Sequence, residues 1–277
     1  MAIVNSRAAI EPKTGKAAIF VNETIHSLIR KLFANNEQGF AYDPNDLTTM
    51  FQDAAGTVPV TGVGQPVGLI LDKSGRGNHA RQTTTASRPI LRQNAITKAY
   101  YLEFDGSDDS LVTNSIDFTA TDEVSLFAGV RKLSTVNGII FELSSSASTN
   151  NGSFYLASPA GQVFPNQILF ANRGTLFASA QNPNLPPPRD VVVSAKGDIS
   201  NDTTLIRTNG LQFSSADNLG TGNYGNYPLY IGRRGDTTIP FNGHLYSLIG
   251  VGRLSTDAET IALEKEVAKR TGVTLSV

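Results

Sequence analysis

Most of this chain is written in short apolar runs broken by turn residues. From Gly39 onward the runs are "VGLIL" (67–71), "AYYLEF" (99–104), "EVSLFAGVR" (123–131), "GIIFEL" (138–143), "SFYLAS" (153–158), "QILFAN" (167–172), "DVVVSAKG" (190–197), "TTLIRTNG" (203–210), "PLYIGRR" (228–234) and "GHLYSLIGVGR" (243–253). Between them stand "NNG", "SPAG", "PPP", "KGD", "TNG" and "GNYGNYP", the Gly, Pro and Asn signals that reverse a chain. Many short strands with no helical period between them predict an all-β domain of two packed antiparallel sheets, a sandwich or jelly roll. "SSSASTNNGS" and "NPNLPPP" are short enough to be exposed loops. No internal repeat is found.

Two segments carry the other period. In "NETIHSLIRKLFA" (22–34), Ile25, Leu28, Ile29, Leu32 and Phe33 fall at helical spacing, with Asn22 placed as the N-cap. One amphipathic helix cannot bury its own stripe, so this one lies either on the β domain or on another subunit. The change of pattern at Gly39 divides the chain into an N-terminal helical and extended attachment arm, 1–40, and a β domain, 41–277. In "LSTDAETIALEKEVAKRTGV", Thr256 and Glu259 form a capping box. Acids lead this second helix and Lys269 and Arg270 close it, as the helix dipole favours. Gly272 sits at the C-terminal cap, and Ile261, Leu263 and Val267 are the predicted anchors to the sheet.

Composition narrows the function. The 277 residues are 40% hydrophobic, enough for a sizeable core. Charged residues make up 17%, and the net charge is −1, which argues against a dedicated nucleic-acid binder. There is no cysteine, so thiol catalysis and Cys-based zinc sites are excluded. The N-terminal residues lack the apolar stretch of a signal peptide, and no window approaches a membrane span. The expected product folds in a cytoplasm even if it works elsewhere.

The strongest cluster of candidate chemistry is "YYLEFDGSDDSLVT" (100–113), with Glu103, Asp105, Asp108 and Asp109. As a retaining glycosidase it would need two carboxyl groups about 5–5.5 Å apart. Glu103 and Asp105 share a strand face by periodicity. The β-jelly-roll glucanases use Glu-x-Asp-x-x-Glu on one strand, whereas here Asp108 takes the last position and Gly106 and Ser107 interrupt the strand. As a calcium site, Asp105, Asp108 and Asp109 would supply only part of an oxygen shell. As a turn, "DGSDD" needs nothing further, because Asp bonds its own backbone and Gly accepts φ > 0. The turn is the favoured reading, so no cofactor is expected, with calcium as the alternative. His26, His79 and His244 have no metal-ligand spacing, and "GVGQPVG" (62–68) lacks the residues and context of a phosphate loop.

In order, "DKSGRGNHA" (72–80), "YLEFDGSDDSLV" (101–112), "DTTLIRTNGLQF" (202–213) and "FNGHLYSLIGVGRLSTDAE" (241–259) resemble the landmarks of the concanavalin A-like (LamG-like) lectin and glucanase jelly rolls. The resemblance implies that fold over about residues 40–277. A narrower stretch, 39–91, is similar to segments of tailed-bacteriophage and prophage structural proteins. Together they imply a non-enzymatic virion protein, tail- or fibre-associated, that touches host-surface glycan or the next fibre component. The implied partners are other virion proteins, through the N-terminal segment, and copies of the same chain, taken as a trimer. A capsid decoration protein is the alternative, and a glycan-degrading enzyme is disfavoured. Without tryptophan, tyrosine is left to stack on a sugar. The candidate glycan-binding residues are Tyr224 and Tyr227 with Arg233, Arg234 and Asp236, and, in a second loop pair, Tyr155 and Arg173. Ile25, Leu28, Ile29, Leu32 and Phe33 are the candidate assembly residues.

Overall fold

Alternating burial builds the two sheets. On the strand at Leu111–Asp117, Leu111, Thr113 and Ile116 are buried, while Val112, Asn114, Ser115 and Asp117 are exposed. A computed structural model describes residues 8–10, 17–19, 23–158 and 165–276. Along the chain run β1 (Ala8–Ile10), β2 (Ala17–Ile19), α1 (Ile25–Leu32), β3 (Gly39–Tyr42), β4 (Met50–Phe51), β5 (Leu69–Ile70), β6 (Ala80–Arg81), β7 (Ile90–Gln93), β8 (Tyr100–Asp105), β9 (Leu111–Asp117), β10 (Glu123–Lys132), β11 (Ile139–Leu143), β12 (Ser153–Ala157), β13 (Ile168–Arg173), β14 (Phe177–Asn182), β15 (Arg189–Asp198), β16 (Thr203–Thr208), β17 (Leu211–Ser215), β18 (Asn226–Ile231), β19 (Asn242–Val251) and α2 (Asp257–Thr271).

One sheet has the order β17-β16-β15-β10-β19-β8-β7, with β3 beside β8 on the same flank of β19. The other has the order β14-β13-β12-β11-β18-β9-β6-β5-β4. Neighbours within them are antiparallel, and the two sheets enclose one core that includes Phe104, Phe118, Phe141, Phe154, Phe170 and Leu248. This is the expected all-β, two-sheet, jelly-roll-like sandwich. β1 and β2 form a separate antiparallel pair.

A third layer covers the first sheet. Phe127, Val192, Ile249 and Val251 point out of the sandwich, where they meet Leu263 and Val267 of α2 and the apolar stripe of α1. Central strands such as β10 are therefore buried on both faces and read as continuous apolar runs rather than alternating ones. Helix α2 starts with the predicted Thr256–Glu259 capping box and ends at Gly272, whose φ of 78° is the left-handed cap only glycine adopts easily. Ile261 is a correction: it is 37% exposed and anchors nothing.

Helix α1 settles where its stripe goes. Ile25, Leu28, Ile29, Leu32 and Phe33 are 1–6% exposed, buried within their own chain against α2 and the first sheet. They are not an open face for a second subunit. Packing is continuous across residue 40, so a boundary there cuts through one unit. The N-cap is Thr24, with a reciprocal bond to Ser27, while Asn22 lies outside the described residues.

The early turn "DKSGRGNHA" is a fastener. Asp72 accepts hydrogen bonds from the Ala41 and Ser74 amides, 2.8 and 2.9 Å, and from the Asn78 amide, 3.0 Å. Asn78 donates to the Gly39 carbonyl at 2.7 Å. The turn thus clamps β3 into its sheet. Among the described residues no helix is long and apolar enough to cross a membrane.

Candidate functional site

The second sheet keeps one face for the core and turns the other outward. Strand pairing puts Tyr230, Glu142, Tyr155, Ala171 and Ser179 side by side across five strands, and directly paired residues share a face. Their sequence neighbours Phe141, Phe154, Phe170 and Ala178 point into the core. On this outer face lies a cleft of about 340 Å³ whose lining includes Tyr155, Phe177, Arg234, Ser148, Ser179 and Ile239.

Tyr155 and Phe177 stack with centroids 6.3 Å apart and planes 27° from parallel. Burial pushes the Tyr155 phenol up to about 12, so it stays neutral, a group able both to donate and to accept a hydrogen bond. Phe177 is 40% exposed, an apolar surface open to an incoming ring. Arg234 is held in place by Glu142: its Nε donates to Glu142 Oε2 at 2.9 Å, and the Ala147 amide donates to Oε1 at 2.5 Å. Glu142 is fully buried, and burial raises its carboxyl above the ordinary value against the opposing pull of these two donors. The loop carrying Arg234 is strained. Thr237 and Ile239 hold φ of 71° and 54°, where β-branched residues are rarely found. Asp236 accepts from the Thr238 amide at 3.0 Å and from its hydroxyl, which fixes this turn.

Of the candidate glycan residues, Tyr155 and Arg234 line the cleft. Arg173 donates to Asn151 Oδ1 at 3.2 Å and the Ser148 carbonyl at 3.0 Å, and the Tyr227 hydroxyl donates to the Asn151 carbonyl at 3.0 Å. These two fasten the loop that supplies Ser148. Asp236 shapes the Arg234 turn, and Arg233 is half-buried outside the cleft lining. Tyr224 is a correction: it is 1% exposed, packs edge-on against Phe154 and accepts from Asn172 at 3.1 Å. It is a core residue, and burial raises its phenol far above the ordinary value. Glu142 and Phe177 were not singled out from sequence. The signal for Glu142 was a carboxylate inside the apolar run "GIIFEL". Phe177 opens a strand of small and polar residues that carries no clear apolar period.

The acidic stretch closes the β8–β9 connection. Gly106 holds φ of 78°, Asp105 Oδ1 accepts from the Ser107 amide at 2.8 Å, and the Ser87 hydroxyl donates to Asp108 at 2.6 Å. Asp109 accepts from the Asp105 amide at 3.1 Å and is 7% exposed. Burial and then the charge of Asp105 push its carboxyl up to about 7. One oxygen from each of Asp105, Asp108 and Asp109 lies within 4.8 Å of the others, which is part of a cation shell. Glu103 forms an ion pair with Arg92 on the far side of the strand from the core.

No protein-family model matches the sequence, and no curated protein matches it. Solved structures of similar fold include the receptor binding domain of botulinum neurotoxin D, with 12% identity over 71% of this chain and 50% of that one, at a TM-score of 0.53. The botulinum neurotoxin serotype D ligand binding domain in complex with N-acetylneuraminic acid aligns at 10% identity over 86% and 52%, TM-score 0.57. An arabinofuranosidase complexed with arabinofuranosyl-α-1,2-xylobiose aligns at 16% identity over 90% and 66%, TM-score 0.59. The chain spans about half the length of the neurotoxin domains it matches. At these identities the likeness is one of fold.

Proposed function

We propose that this chain is a non-enzymatic carbohydrate-binding structural protein of a bacteriophage particle, tail- or fibre-associated. The jelly-roll sandwich faces host-surface glycan, and the chain before α1 attaches it to other virion proteins. The observation that carries the binding part is the Tyr155–Phe177 cleft with Arg234 held beside it. An aromatic pair gives a sugar ring an apolar face to rest on, and a fixed guanidinium with hydroxyls at the rim bonds its hydroxyl groups. Two proteins of similar fold were solved with carbohydrate ligands, which supports the same reading. The virion part rests on the likeness of residues 39–91 to phage structural proteins, and a trimer is the assembly we assign. The non-enzymatic part is supported by the engagement of the carboxylates: Glu142 is tied to Arg234, Glu103 to Arg92, and Asp105 to its own turn.

The test is binding of the purified chain to host-cell surface polysaccharide. Tyr155→Ala and Phe177→Ala are each expected to weaken it at least about tenfold, about 1.4 kcal/mol, with the melting transition retained. Unchanged affinity in both variants overturns the site. Release of reducing ends by wild type that stops in Glu142→Gln overturns the non-enzymatic reading. Loss of residues 1–22 is expected to abolish incorporation into particles without moving the melting temperature. Retained incorporation, or a place on the icosahedral shell, overturns the attachment or tail assignment.

A further inference from the structure

The opposite sheet carries a larger cleft, about 580 Å³, beyond the end of the helical layer. A row of paired residues on the outer face runs Glu103, His244, Arg131, Asp190 across β8, β19, β10 and β15, and the last three of these line the cleft. Tyr101 lies flat on His244, ring centroids 4.0 Å apart and planes 16° from parallel, and Tyr246 leans on both. Asn94 donates to the Tyr246 hydroxyl at 3.0 Å, which brings the turn at 94–97 over the cleft as a wall. On that turn Ile96 is 90% exposed.

The charges in this row cancel. Arg131 pairs with Asp190, and Arg92 pairs with Glu103. His244 adds no charge near neutral pH, because burial pushes it down to about 4. An anionic ligand would find Arg131, the cation of the lining, already matched and the Asp190 carboxylate in its way. A purely apolar ligand would cover the Arg131–Asp190 pair and leave it without water. What suits the cleft is a neutral molecule with an apolar face for Tyr101 and Ile96 and with groups that both donate and accept, for Asp190, Arg131, Asn94 and Thr97. His244 Nδ1 is buried without a hydrogen-bond partner beneath the Tyr101 ring.

We infer that the cleft between Tyr101, His244, Tyr246 and the 94–97 turn is a second carbohydrate site, selective for neutral pyranose sugars. It uses other residues on the other sheet and stands whether or not the Tyr155 cleft binds. The test is a titration of the full chain with cellotetraose, maltotetraose, mannotetraose and β-1,4-galactotetraose, with 3′-sialyllactose as the anionic control, followed by backbone amide spectra. At least one neutral tetraose is expected to shift the amides of 94–97 and 244–246, in wild type and in Tyr155→Ala alike. Tyr101→Ala is expected to weaken that response at least tenfold and to leave shifts around Tyr155 and Phe177 unchanged. Ile96→Asp, at an exposed rim position that the fold does not need, is expected to weaken it too, and serves where Tyr101→Ala does not fold. The inference is overturned if no neutral tetraose moves these amides, if 3′-sialyllactose binds there more tightly, or if Ile96→Asp leaves the affinity unchanged.

Discussion

Arg270, in the last turn of α2, donates both terminal guanidinium nitrogens to Asp43, at 2.6 and 2.9 Å, across 227 residues of sequence. Asp43 is 1% exposed, and Arg270 with Lys73 holds its carboxyl below the ordinary value against the opposing effect of burial. The pair ties the C-terminal helix to the residue that follows β3, so the two ends of the domain close on each other. Breaking a buried pair strands a charge. Asp43→Asn and Arg270→Leu are each expected to cost about 3–5 kcal/mol by denaturant unfolding, and the double variant less than their sum. Additive losses would mean that the two residues act separately.

Helix α1 is expected to behave as part of the core. Leu28→Ala or Leu32→Ala should cost about 2–5 kcal/mol each, because both side chains are 1–2% exposed and the space they leave cannot fill. A chain starting at residue 40 should show a lower melting temperature and exposed apolar surface on Phe127 and Ile249. Cooperative unfolding of the 40–277 chain at the temperature of the full chain would show that the helix is dispensable.

How much of this was legible follows from what each residue contributes locally. The β class, the Thr256 capping box and the Gly272 cap are written in turn chemistry and short-range hydrogen bonds, and they were readable. β9, β14 and β17 were not, because one face of each is polar and exposed and their apolar residues are few. The stripe of α1 was readable as a stripe, but not its destination, since a period reports that a face is buried and not against what. Tyr155 and Arg173, expected in a loop pair, lie on β12 and β13, and Tyr224, expected to face a ligand, lies in the core. Tyr155 and Tyr224 both stand beside turn-rich sequence; strand pairing turns the Tyr155 ring outward, while the loop before β18 lays the Tyr224 ring against Phe154.

The acidic turn separates two variants. At Gly106, φ is 78° and an added Cβ would meet Asn242 Cβ at 2.7 Å, so Gly106→Val is expected to cost about 1–3 kcal/mol. Asp108→Asn should cost less, because the amide oxygen still accepts from Ser87. A bound cation predicts the reverse order, together with a fall in melting temperature on adding EDTA that Asp108→Asn abolishes. Thermal melts of wild type and both variants, with and without EDTA, decide between them.

Two buried groups should give the stability profile opposite slopes in two pH windows. Asp109 is raised in the folded state to about 7 from an ordinary 3.8, by burial first and then by Asp105. Between those values the folded chain keeps a proton that the unfolded chain has released, so this contribution to stability falls as pH rises from about 4 to about 7. Lys132 is lowered to about 8 from 10.5 by burial alone, with its Nζ donating to the Pro165 carbonyl at 3.0 Å. There the unfolded chain holds the extra proton, so stability rises from about pH 8 to about 10.5. Asp109→Asn should flatten the first window and Lys132→Met the second, each leaving the other slope in place. The measurement is urea unfolding from pH 4 to pH 10.5 for wild type and both variants. A first window that keeps its slope in Asp109→Asn would mean that another carboxylate carries it, and the same outcome for Lys132→Met in the second would release that lysine from its assigned role.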